Sequence, residues 1–170
     1  MTNDLSIKEI PKEADQYTLY VDRQLGNING FLTLQRVVNG QITKLFEKLP
    51  IRSGQNGFVN SKDQDFIRSK GSIPFGDHYL STKKESLWME PKGTPFYVVS
   101  SKPGERVIYG PSGKTRHDIG LHMENQFPGS AGCVVLLHET SEQKRMVKLL
   151  FDELDQLNEA GIKFIKVKVL

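Results

Sequence analysis

Two runs with the apolar/polar alternation of extended chain, residues 31–38 and 41–46, flank the dipeptide Asn39-Gly40. This arrangement restricts the fold more than any other feature of the sequence. Successive strand side chains point to opposite faces, so alternation over such a span specifies a half-buried strand. Asn-Gly supplies the two positive-φ residues of a tight hairpin turn. Residues 17–21 (YTLYV), 94–100 (TPFYVVS) and 106–109 are rich in β-branched and aromatic residues, and 77–82 enters a further strand. The short apolar runs at 119–122 and 133–137 read as strands buried on both faces. Residues 53–70 form a long loop with one short helical turn, and Pro74 between glycines marks a turn over 71–76.

One segment breaks the β pattern. Over residues 141–160, Met146, Leu149, Leu150, Leu154 and Leu157 recur at intervals of one, three and four on one helical face. Ser141 is placed to cap this helix, and Gly161 stands where a left-handed C-terminal residue belongs. Residues 162–170 (IKFIKVKVL) then alternate apolar residues with lysine, as a final strand whose wet face is expected at a sheet edge. The fold class expected is mainly β with one C-terminal helix. The chain's 170 residues suit one core, over residues 17–170, preceded by a polar segment 1–16 without the apolar run of a signal peptide. No stretch is long and apolar enough to span a bilayer.

The formal net charge is +3, with basic and acidic residues interspersed, which argues against a nucleic-acid partner. A single cysteine, Cys133, excludes a disulfide framework and a multi-cysteine zinc site. Neither paired cysteines nor a His-x-x-x-His spacing accompanies the four histidines, so no metal and no other cofactor is expected. The thiol is then buried filler, a redox handle or a nucleophile. His122 lies eleven residues before it, and the intervening segment contains Pro128 and Gly129, with Gly132 directly before the cysteine. Such a segment can fold back and bring imidazole and thiol together. The imidazole can take the thiol proton or hold a thiolate–imidazolium pair. Gly132, lacking a Cβ, can expose backbone amides to a carbonyl; with the Cys133 amide they would form an oxyanion hole, each donor lowering the barrier by about 3–4 kcal/mol. Ser130 could add a hydroxyl donor.

Ile119-Gly120-Leu121-His122, followed by Ser130-Ala131-Gly132-Cys133-Val134-Val135, resembles the L,D-transpeptidase catalytic domain. That family carries a strand-ending histidine, a loop, and a Ser-x-Gly-Cys signature leading into a strand. The upstream GSIPFGDHYL is similar to the turn and strand preceding the family's site, and the resemblance extends over residues 17–170. It implies a β-sandwich or twisted, barrel-like sheet, and cysteine-dependent acyl transfer on a peptidoglycan stem peptide. Cys133 would be nucleophile and His122 base, with Gly132 and Ser130 completing the catalytic set. The Met123 region would supply the oxygen that orients the imidazole. Met123, Asn125, Ala131, His117 and Arg116 are the expected substrate-facing residues, with Arg116, His117 and Asp118 at the mouth. This sequence departs from the family at Ala131, where a second histidine is common, and at Val135, where many members carry a polar or basic residue. Its histidine-to-cysteine loop is also shorter.

Of the remaining histidines, His78 is expected on a solvated strand face, and His138 as a cap for the next segment. The partner expected is the stem peptide as both donor and acceptor, with the protein a monomer. The absence of a leader leaves the compartment open. Phage lysis, specialised secretion or a truncated reading frame would reconcile it with an extracytoplasmic polymer. The rival readings are a non-catalytic binding or structural module on the same fold, possibly phage-type, and a redox-sensing thiol.

Overall fold

The structure, a computed structural model, describes residues 17–24, 26–55, 57–58, 62–68, 70–86, 94–124 and 132–170. Asn39 (φ 50°) and Gly40 (φ 75°) form the expected positive-φ turn. They join β2 (Asn29–Val38) to β3 (Gln41–Arg52) in antiparallel register from Val38↔Gln41 to Asn29↔Arg52. β3 runs well beyond the alternating stretch. Register shifts between Leu32 and Gln35, with Lys48 at φ 57°, mark an irregularity that lets the strand resume through Pro50.

The remaining strands are β1 (Tyr17–Arg23), β4 (Gly76–Ser81), β5 (Glu85–Ser86), β6 (Pro95–Ser100), β7 (Val107–Tyr109), β8 (Thr115–His117), β9 (Gly120–Met123), β10 (Val134–Leu136) and β11 (Phe164–Val169). The main sheet has the order β4-β11-β1-β2-β3-β10-β9-β6-β5, and β4 also pairs with β6 through Tyr79↔Ser100 and Leu80↔Val99. This extra pairing closes eight strands into a barrel. β7 and β8 form a separate two-stranded ribbon.

In a barrel of this size alternate side chains fill the interior. Leu19 and Val21, Leu32 and Leu34, Leu49 and Ile51, and Ile165 and Val167 are 1% exposed or less and share one core. The helix α1 (Ser141–Glu159) adds Met146, Val147, Leu150, Leu154 and Leu157 to it. Tyr17 and Tyr97 direct their hydroxyls to Glu153 (3.1 Å) and Asp155 (3.0 Å), pinning α1 to β1 and β6. Among the described residues no helix is long and apolar enough to cross a membrane.

Two further details of the fold differ from the sequence reading. The helix is capped by Thr140, not Ser141: Thr140 Oγ1 accepts from the Gln143 amide (3.1 Å) and the Gln143 side chain accepts from the Thr140 amide (3.1 Å). This reciprocal box satisfies two amide donors that the helix start leaves open. Thr140→Ala is expected to lower stability by about 1 kcal/mol, read as a shift of the thermal midpoint; an unchanged midpoint would count against the cap. At the other end Gly161 (φ 90°) is left-handed as expected, and the Ile162 amide returns to the Leu157 carbonyl at 2.9 Å.

The second difference is β11, which is no edge strand. It pairs in parallel with β1 and antiparallel with β4. Its exposed Lys166 and Lys168 face solvent because the outer surface of a barrel is wet even where both strand edges are paired.

Candidate active site

β9 and β10 are adjacent and parallel, in register Val134↔Leu121 and Val135↔His122. Leu121, Val134 and Leu136 belong to the barrel core, so by alternation His122 and Val135 lie on the opposite face. Cys133 immediately precedes β10, which sets it beside Gly120, two residues from the level of His122. With strands about 4.8 Å apart and about 3.3 Å per residue, the two Cα atoms are about 8 Å apart. An imidazole and a thiol can meet across that span.

His122 is buried, and its Nδ1 donates to the Met123 carbonyl at 2.7 Å. A carbonyl can only accept, so Nδ1 carries the proton and Nε2 presents a lone pair. Phe96, opposite His122 in β6, places its ring 6.1 Å from the imidazole and across Gly120, where a Cβ would collide with it. Gly120 therefore makes room for the aromatic wall. Burial lowers the His122 pKa against a smaller, opposing effect of the Met123 carbonyl.

Cys133 is half-buried. Its thiol is oriented toward the Asp118 carbonyl, a long contact of 3.9 Å. Burial pushes the thiol pKa up to about 11; the Asp118 charge adds to this, while a Gly120 backbone hydrogen bond and the Arg116 cation work against it. Both shifts favour neutral forms, so the resting pair is thiol and imidazole. Of the two states the sequence left open, a standing thiolate–imidazolium pair is the one this environment disfavours. The Asp118 carboxylate itself accepts from Arg106 Nε at 2.8 Å, and Arg106 also binds Glu85 at 2.9 Å.

Gly132 has φ 113°, a conformation side chains rarely adopt, and a Cβ there would collide with Arg116 Nη2 and approach Ile119 Cδ1 at 2.8 Å. Its carbonyl accepts from Ser53 Oγ at 3.2 Å. Arg116 is 4% exposed and donates through Nη1 to the Asp65 carbonyl and to the Gly71 carbonyl (3.4 Å). It lies beneath the Gly132 turn, whereas its neighbour His117 is exposed and contacts Thr115 Oγ1 at 3.3 Å. Met123 serves two places: its carbonyl holds His122, and its side chain lines a groove of about 380 Å³ against α1 with His138, Val147 and Phe151. Ser130, Asn125 and Ala131 lie outside the described residues.

His78 is buried, not solvated, and donates through Nε2 to the Pro74 carbonyl at 2.8 Å; its pKa is lowered, chiefly by burial. His138 donates to the Glu124 carbonyl at 3.2 Å and caps no helix. Among the described residues no three His, Cys, Asp or Glu side chains gather closely enough to hold a metal ion. No sequence motif marked Ser53 or Phe96. Arg116 and Asp118 were expected at the mouth; the Asp118 carbonyl does face the thiol, whereas Arg116 is buried beneath the Gly132 turn, which nothing in its polar stretch signals.

No protein-family model matches the chain, and no curated protein matches it. Among solved structures, the crystal structure of the helical cell shape determining protein Pgp2 from Campylobacter jejuni is similar, with a TM-score of 0.54 and 16% identity. The match covers 98% of this chain and 54% of that one, so the chain spans about half the length of that structure. At this identity the likeness is one of fold.

Proposed function

We propose that the chain is an L,D-transpeptidase-like enzyme acting on peptidoglycan stem peptides, with residues 17–170 as its catalytic unit. The observation that carries this reading is the oriented imidazole: Met123 holds Nδ1–H, which leaves Nε2 as a base on the strand adjoining Cys133. The fold is shared with a helical cell shape determining protein, which accords with this reading.

In this mechanism Nε2 takes the Sγ proton as sulfur attacks the amide carbonyl, and a C–S bond forms. The amides of Gly132 and Cys133 receive the developing oxyanion. The tetrahedral intermediate collapses by breaking the C–N bond, and His122 returns the proton to the departing amine. The thioester is then resolved by an amine, giving exchange or a cross-link, or by water, giving carboxypeptidase activity. Because the resting thiol is neutral, proton transfer accompanies attack.

A binding module on the same fold is the second reading, favoured by the raised thiol pKa. Incubation of the pure protein with tetrapeptide muropeptides, followed by mass spectrometry, separates the two. The enzyme is expected to release terminal D-Ala, exchange it for another D-amino acid, or form a dimer. A folded protein that yields none of these products, with or without an added amine acceptor, would leave the binding module.

A further inference from the structure

The turn carrying Gly132 and Cys133 is gripped by the segment between β3 and β4. Ser53 Oγ donates to the Gly132 carbonyl (3.2 Å) and accepts from the Ile73 amide (2.9 Å), while Ser72 Oγ donates to the Ser53 carbonyl (2.8 Å). Arg116 reaches the same segment from β8, through the carbonyls of Asp65 and Gly71, with its guanidinium packed on the Gly132 Cα. The Asp65 carboxylate is turned to Arg23, at 2.7 Å.

A buried side chain used only to fill space under a glycine would be cheaper as an apolar residue, because a cation loses its hydration on burial. A cation becomes useful when a neighbouring group acquires negative charge during reaction. We propose that Arg116 is a positioning residue which ties the Gly132–Cys133 turn to the 53–73 segment and stabilises negative charge on the Cys133 sulfur as its proton leaves. The role rests on the nucleophile reading of Cys133. Other described groups act on the same sulfur: the Asp118 carboxylate, held by Arg106, opposes negative charge there, and the Gly120 backbone favours it. His122, on the neighbouring strand, is neutral at rest.

The test is the pH dependence of Cys133 alkylation by iodoacetamide in the full chain, with folding followed by circular dichroism. Removing a cation beside a thiolate raises the pH at which the thiolate forms, and each unit of rise lowers the thiolate fraction tenfold at a fixed pH below it. Arg116→Met is expected to move the midpoint of the rate profile upward by about one unit, and so to slow alkylation at pH 8 about tenfold. Arg116→Gln, which keeps a donor for the carbonyls but removes the charge, is expected to do the same. Arg116→Lys is expected to recover most of the wild-type profile. A folded Met or Gln variant with the wild-type midpoint would overturn the proposal, as would a Lys variant no better than Met. If neither neutral variant folds, Arg116 is a structural residue and the proposal fails. Alkylation needs no turnover, so a shifted profile alongside inert muropeptides would reject the enzyme reading while retaining the effect of Arg116 on the sulfur.

Discussion

Cys133→Ala is expected to eliminate covalent adduct formation with a carbapenem and to reduce muropeptide turnover by roughly 10³-fold or more. The proposed reaction passes through a bond to sulfur, and the residual contribution of backbone amides and substrate positioning cannot replace that bond. Intact-mass spectrometry reads the first effect and product analysis the second. An adduct on the alanine variant, or turnover within a few-fold of wild type, would remove Cys133 from the mechanism. The pH profile follows from the same site. His122 must be neutral to accept a proton, and its pKa lies below the ordinary 6.5. Activity is therefore expected to be lost as pH falls through that lowered value, and to be held on the basic side of 6.5.

Asp65→Ala is expected to cost about 3–5 kcal/mol of stability, a fall in the thermal midpoint of roughly 6–20 °C for a chain of this size. Arg23 and Asp65 are almost wholly enclosed, at 3% and 2% side-chain exposure. Arg23 also donates to the Ile73 carbonyl at 2.7 Å and lies over the Phe75 ring at 4.0 Å, but among the described residues its Nε and Nη2 lack hydrogen-bond partners. Removing the carboxylate would strand this cation. The pair itself is not a net gain, since burial raises the Asp65 pKa despite the lowering effects of Arg23, the Phe75 backbone and Arg116. Taking both ions out of water offsets their attraction, so the pair as a whole contributes little although the loss of one partner is costly. The double variant Arg23→Met/Asp65→Leu is accordingly expected to be more stable than Asp65→Ala. A double variant as weak as the single would defeat this account.

Much of the architecture was legible in local chemistry. Asn39-Gly40 declared its hairpin because few dipeptides adopt two positive φ values, and the stripe from Met146 to Leu157 declared α1. Pro50 concealed the second half of β3: a residue without an N–H argues against a strand, yet here its carbonyl accepts from the Leu137 amide at 3.1 Å. The lysines of β11 reported a wet face accurately, but a wet face does not distinguish an edge strand from a barrel wall. The β4–β6 pairing had no local signal, because register between distant strands depends on the whole set of inward-facing residues.

The candidate site divides in the same way. His122 and Cys133 stand near each other in sequence, within a recognisable signature, and could be named. Arg116 and Asp118 were expected at the mouth, but the burial of Arg116 under Gly132 and the reach of Ser53 to the same turn depend on strand pairings that no short window contains. The carbonyl of Asp118 meets the thiol because the β8–β9 turn brings it there, with Asp118 itself in the left-handed region at φ 54°.

β6 has two duties: it completes the ring against β4, and it flanks the strand bearing the imidazole. Opening the two-rung seam at Tyr79 and Leu80 would thus disturb His122, the proposed base, through a single intervening strand. On the proposed reading, the integrity of the cylinder and the alignment of His122 are coupled through β6, and a substitution that loosens the seam should blunt chemistry before it unfolds the chain.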